Sequence, residues 1–227
     1  MIPALLRRLR AALLELDPDR RRAELRWWQQ RAQQYGPRAV YHRGHAPDEL
    51  AEVDRKQKNL LYPILRSRLR GDERVVLDFG CGIGRFTTDL AGIVGGNAIG
   101  VDPTRALLDA VPRAENVEVH WIPHGRLPLP DASVDVVWIC IVLTCITDPE
   151  ALQAAIAEIR RVLKEDGLVF LVENTTPRPD LPHVAFRPVE VYRALFNFAP
   201  LRHETDYEDL GERISVMTGR KGAPADG

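Results

Sequence analysis

VVLDFGCGIGRFTTDLAGIVGGNAIGVD, residues 75–102, decides how this chain is read. Val75, Val76 and Leu77 form the apolar run of a buried strand, and the run breaks at Gly80, Gly82 and Gly84. Alternating glycines permit a tight turn in which backbone approaches a ligand with no Cβ in the way. A helix is expected from Arg85, its unpaired N–H groups and positive dipole end facing that ligand. Ile99, Gly100 and Val101 then read as the next strand, with Asp102 at its carboxyl edge. A carboxylate about twenty residues past the middle glycine is placed to accept hydrogen bonds from both hydroxyls of a ribose. The stretch therefore reads as a nucleotide-type cofactor site.

A dinucleotide fingerprint is G-x-G-x-x-G, whereas this loop is D-x-G-x-G-x-G followed by Arg85, Phe86 and Thr87. On these residues the chain resembles the class I S-adenosylmethionine-dependent methyltransferases. LPLPDASVDVVWICIVL, residues 127–143, is similar to the family's fourth-strand region, and EIRRVLKEDGLVFLVEN, residues 158–174, to its following helix and fifth strand. The resemblance spans roughly residues 60–220. It implies S-adenosyl-L-methionine as cofactor. Asp78 and the loop of Gly80, Cys81, Gly82 and Gly84 would hold its methionine end, and Asp102 with Pro103 its ribose. Many relatives carry an acidic residue and then a small one before the LPLPD segment, to recognise adenine. Here Pro123 and His124 stand there, so His124 or the backbone of Gly125 is expected beside adenine, with Ile122 or Leu127 packing on its face.

From residue 72 strand and helix patterns alternate. Strands are predicted at 74–79, 97–101, 117–122, 134–140, 168–173, 201–207 and 212–218, and helices near 85–94, 104–111, 149–164 and 187–198. Asp148 before Pro149 starts a helix with Leu152, Ala155, Ile156, Ile159 and Leu163 on one face. The last two strands flank Asp209-Leu210-Gly211, and so short a connection makes them antiparallel. The expected fold is α/β: a Rossmann-like, mostly parallel seven-stranded sheet with a C-terminal antiparallel hairpin and an N-terminal helical extension. Residues 1–70 are assigned to that extension and lid, 71–220 to the cofactor-binding core and 221–227 to a flexible tail.

The segment over residues 1–22 is basic, with Leu5, Leu6, Leu9, Leu13 and Leu16 at helical spacing and Arg7, Arg8 and Arg10 between them. It reads as a helix covering the domain or a partner, including a second copy, with an interfacial membrane helix as the other reading, and has no apolar run long enough for a signal peptide or a membrane span. A net charge of −1 gives no support to general nucleic-acid binding. Three cysteines, Cys81, Cys140 and Cys145, without C-x-x-C spacing, argue against a disulfide framework or a zinc site, and a reducing cytoplasm is the expected compartment.

Ligands bind at the carboxyl ends of strands in open α/β sheets, which points to residues 141–147, Glu173 and Asn174. Ile141 is expected beside the cofactor. His183, after the fifth strand, is the candidate general base, with a loop-anchoring or surface role as its other reading. Glu173 is the second candidate catalytic group, with positioning of substrate or bracing of a loop as its other reading. Trp27, Trp28, Tyr35 and Tyr41 precede the core as a candidate acceptor wall, or as anchors of a helix in the case of the tryptophans. His42 and His45 read as solvated loop residues. Arg85 and Arg187 would pair with a carboxylate or phosphate on the acceptor, or serve in surface or structural ion pairs. The expected reaction is methyl transfer to a small molecule, with oxygen of a sugar or secondary metabolite preferred over nitrogen. The alternatives are a protein or RNA methyltransferase and a non-catalytic cofactor-binding subunit.

Overall fold

A computed structural model of the protein describes residues 18–224. The basic leucine segment over residues 5–16 and the end of the tail lie outside the described residues. In chain order the elements are α1 (Pro18–Tyr35), α2 (Leu50–Arg68), β1 (Val75–Phe79), α3 (Thr87–Val94), β2 (Asn97–Asp102), α4 (Arg105–Leu108), β3 (Val117–Trp121), β4 (Val134–Cys140), α5 (Pro149–Val162), β5 (Leu163–Asn174), α6 (Val189–Leu195), β6 (Arg202–Asp209) and β7 (Glu212–Arg220). Short 3₁₀ turns at Gly36–Val40, Pro47–Glu49 and Leu143–Cys145 join them.

The strands form one sheet in the order β3-β2-β1-β4-β5-β7-β6. The first five pair in parallel, while β7 runs antiparallel to both β5 and β6. Period-two alternation sends successive residues to opposite faces. Val76, Val136, Trp138, Phe170 and Val216 pack with Leu61, Leu65, Phe86 and Leu90 of the α2 and α3 side. Leu77, Phe79, Val137, Ile139 and Leu171 pack with Ile156, Ile159, Tyr192 and Phe196 of the α5 and α6 side. Helices thus cover both faces, and ligand access is left at the carboxyl edge of β1, β2 and β4.

Element boundaries moved where local chemistry overrode the pattern. The third helix starts at Thr87 instead of Arg85, with Phe86 at φ −113° as its N-cap, and the Arg85 side chain bonds to Asp54 and Gln57. The 104–111 prediction shrinks to one turn, after which Ala110 and Val111 donate to the Leu107 and Leu108 carbonyls in tighter turns ahead of Pro112. The last helix begins after Pro188, since Arg187 precedes that proline and is disfavoured in the helical region. β5 starts early: Leu163 pairs with Val134, and the chain bulges, with Asp166 at φ 65°, before Leu168 pairs with Val136. Asp148 caps α5 as its sequence suggests, its Oδ1 accepting the Ala151 N–H at 2.8 Å.

Candidate functional site

A cavity of about 460 Å³ opens over the carboxyl ends of β1, β2 and β4, within the size range of small-molecule sites. Its floor is the glycine loop. Gly80 and Gly82 have φ of +75° and +55°, which suits glycine and strains any other residue. A Cβ on Gly80 would stand 2.5 Å from a Val142 methyl, and one on Gly82 would stand 2.7 Å from a Val40 methyl. The loop is tied to β2: Gly80 and Cys81 both donate to the Val101 carbonyl, at 2.8 and 3.0 Å.

Two carboxylates flank that floor, 3% and 7% exposed. Asp102 accepts the Gly82 N–H at 3.0 Å and the Thr104 N–H at 2.7 Å, and Asp78 accepts the Thr87 hydroxyl at 2.6 Å. Burial outweighs these bonds. It lifts Asp102 to about 6 and Asp78, next to the Asp102 charge, to about 7. Both line the cavity, so both would gain from a ligand that brings hydroxyls or an ammonium group. Arg85 lines it too, a positive charge held by Asp54 at 2.7 Å and Gln57 at 2.5 Å and set 4.4 Å from the Tyr41 ring centre.

Ile122, Pro123 and Gly125 line the cavity beyond Asp102, next to Pro103 and Leu107. The expectation for His124 is corrected: its side chain is exposed and its carbonyl accepts an Arg21 N–H at 2.6 Å. The Gly125 N–H is spent on the Ile122 carbonyl at 3.0 Å, and Leu127 is core. Gly84 lies behind the floor, against Val111.

On the far side α1 closes the cavity. Trp27 and Trp28 line it with Tyr41, whose hydroxyl is committed to Asp54 at 2.8 Å. Tyr35 does not reach it; that ring sits beside a separate hollow, under Arg31 and Arg43. His42 is exposed, but His45 is not the solvated residue its loop suggested. Its Nε2 meets Asp209 of the β6–β7 turn at 2.9 Å, and both residues line the cavity. His183 reaches the cavity, its ring stacked on Trp27 at 4.5 Å.

The loop after β4 is fixed by three charged side chains, of which Glu173 and Arg187 lie outside the cavity lining and Glu24 within it. Glu173, fully buried, accepts the N–H groups of Val142, Leu143 and Thr144 at 3.0, 2.7 and 2.9 Å. It braces this loop and is not among the cavity-lining residues, which corrects its expectation as a catalytic group. Arg187 is likewise corrected from acceptor binding: its guanidinium donates to the Leu143 and Ile146 carbonyls at 2.7 and 2.6 Å. Glu24 of α1 accepts N–H groups of Thr147 at 2.8 Å and Asp148 at 3.0 Å, and the Thr147 hydroxyl, latching the lid to the loop. Sequence gave no signal for Glu24, one acidic residue in a helix full of charges. Ile141, forced to φ 56°, and Asn174 face the cavity. The three cysteines are free, and burial pushes Cys140 and Cys145 up to about 12, so they stand as neutral thiols.

Residues 77–171 match the family of methyltransferase domains. Malonyl-[acyl-carrier protein] O-methyltransferase of Yersinia pestis is 30% identical over 130 residues, 57% of this chain and 47% of that protein. Demethylmenaquinone methyltransferase of Lactobacillus johnsonii is 36% identical over 135 residues, 55% of this chain and 53% of that protein. The chain spans about half the length of these curated relatives. The crystal structure of the YcgJ protein from Bacillus subtilis superposes with a TM-score of 0.60 at 19% identity, over 74% of this chain and 100% of that one, a likeness of fold. No helix among the described residues is long and apolar enough to cross a membrane. Residues 77–171 thus match a methyltransferase domain, and the sheet order with its glycine loop carries the likeness of fold to that structure.

Proposed function

We propose that the chain transfers a methyl group from S-adenosylmethionine to a small molecule, with an oxygen of a sugar or secondary metabolite as the acceptor atom. One observation carries this reading: a single cavity joins the glycine loop and the two buried carboxylates to an aromatic chamber under α1. The donor set fits the cofactor. Asp102 would take the ribose hydroxyls and Asp78 the ammonium end, relieving the two desolvated carboxylates, while Arg85 offers a fixed charge to a carboxylate at that end. Ile122 and Pro123 would flank the adenine.

When bound, the cofactor supplies an electrophilic methyl on sulfur. The chain's own residues position and exclude water. Trp27 and Trp28 roof the reacting space, and the loop over residues 141–147 is held rigid by Glu173, Arg187 and Glu24, so the acceptor meets a preset wall. The named acceptors of the two curated relatives, a malonyl group on a carrier protein and demethylmenaquinone, support a small acceptor group over nucleic acid. A reducing cytoplasm agrees with three free thiols.

Calorimetric titration with S-adenosylmethionine and S-adenosylhomocysteine, with NAD as control, tests the reading in wild type and Asp102→Ala. Selective binding weakened by the substitution supports it; no binding of either sulfur compound removes it.

A further inference from the structure

Trp28, Ile146, Leu181, Val184 and Phe186 give the acceptor side of the cavity an apolar wall, and Glu24 and Arg31 of α1 also line the cavity. Among these surfaces stands the imidazole of His183, stacked on Trp27 with 27° between the planes. Its two nitrogens are not equivalent. Nδ1 is buried and has no hydrogen-bond partner among the described residues. Three other buried side-chain atoms share that condition, on Arg68, Trp138 and Tyr192, and none of those residues lines the cavity. Nε2 is not sealed in this way, and the residue lines the cavity.

A histidine that takes a proton at Nε2 must carry its own proton on Nδ1, and a working base gives that N–H an acceptor. Here the Nδ1 position offers none. An orphaned buried N–H is rarer and costlier than a bare acceptor, so the tautomer with hydrogen on Nε2 is the one this site stabilises. The imidazolium would strand the same Nδ1–H. Burial accordingly lowers the His183 pKa, against the pull of the Glu24 carboxylate on α1, the charged group that acts on the ring.

We propose that His183 is a hydrogen-bond donor to the methyl acceptor through Nε2–H, and that the acceptor is an ionised oxygen acid on a flat, apolar body. This rests on reading the cavity as a methyl-acceptor site. The oxyanion arrives already deprotonated. Its lone pair forms the O–C bond to the methyl carbon, the S–C bond breaks with its pair left on sulfur, and no residue has to receive a proton. Sugar hydroxyls, un-ionised and several to a ring, do not suit the apolar wall around His183, which narrows the reading to the metabolite side. Carboxylates and phenolates share the required chemistry.

Two measurements decide it. The first is long-range nitrogen–proton NMR of ¹⁵N-histidine-labelled protein from pH 6 to 9, with His183→Gln supplying the assignment. A neutral His183 ring with hydrogen on Nε2 is expected throughout; hydrogen on Nδ1, or an imidazolium at pH 7, overturns the inference. The second is calorimetry on protein saturated with S-adenosylhomocysteine, using benzoate, 4-nitrophenolate and uncharged benzyl alcohol. One charge-assisted hydrogen bond makes at least one of the two anions about tenfold tighter than the alcohol. His183→Gln, whose amide keeps a donor near Nε2, stays within about threefold, and His183→Leu loses the preference. Benzoate and nitrophenolate compared with each other separate the carboxylate source from the phenolate source. Equal binding of all three probes, or equal loss in both variants, overturns it. Failure of S-adenosylhomocysteine itself to bind removes the methyl-transfer reading and the acceptor assignment with it. A ring protonated on Nδ1 with the cofactor product bound removes only this inference.

Discussion

Replacing Asp78 by Asn is expected to stabilise the ligand-free protein while damaging the cofactor site. Asp78 is 3% exposed, and burial together with the neighbouring Asp102 charge lifts its carboxyl from an ordinary 3.8 to about 7. At about 1.4 kcal/mol per pH unit, that interval amounts to about 4 kcal/mol by which folding disfavours the ionised side chain. Asp78→Asn keeps the shape and an oxygen for the Thr87 hydroxyl, and removes the charge. The buried amide costs about 1–3 kcal/mol of its own, which leaves a gain of about 1–3 kcal/mol. The sign has a pH signature. Well below pH 3.8 the wild-type carboxyl is protonated whether folded or unfolded, so that cost is absent; between pH 3.8 and about 7 wild type loses stability, levelling off above 7, and the variant does not. Urea unfolding at pH 4, 6 and 8 without cofactor should therefore show an advantage for the variant that grows across this range. S-adenosylmethionine should bind the variant about 10- to 100-fold more weakly, the worth of one charge-assisted bond. A variant less stable than wild type at pH 8, or a difference independent of pH, would refute the reasoning and make Asp78 a structural carboxylate.

Affinity for S-adenosylmethionine should fall as pH drops from 8 to 5, because protonation of Asp78 near 7 and Asp102 near 6 removes the charged acceptors; a flat calorimetric profile would count against both placements. Glu173→Leu strands three backbone N–H groups and removes one buried charge, for a net loss of about 3 kcal/mol in urea unfolding, and unchanged stability would show that the loop does not depend on it. Glu24→Ala frees α1 from Thr147 and Asp148, so amide hydrogen exchange in residues 21–35 should quicken about tenfold or more with the sheet unaffected; equal protection would mean that packing alone holds the lid.

The strand-loop-strand over residues 75–102 was legible because its signals are local. Glycines force a turn, apolar runs make buried strands, and the spacing to Asp102 follows from the length of one helix. The α5 cap at Asp148 and the antiparallel final pair rest on short-range geometry in the same way. The roles of single polar residues in the cleft are another matter. Glu173 and Arg187 lie where a sequence reading seeks a reacting group, yet neighbouring backbone amides and carbonyls claim them first. Glu24 crosses from residue 24 to residues 147 and 148, and His45 to Asp209, pairings that no periodicity encodes. Tyr35 and Tyr41 are six residues apart in one aromatic segment, and only the second faces the main cavity. Local sequence thus determined the sheet, the loop and the two carboxylates beside it, whose placement needs only strand and turn geometry. Tertiary packing decided which side chains keep a free polar atom toward the cavity, because that depends on hydrogen bonds made between segments far apart in the chain.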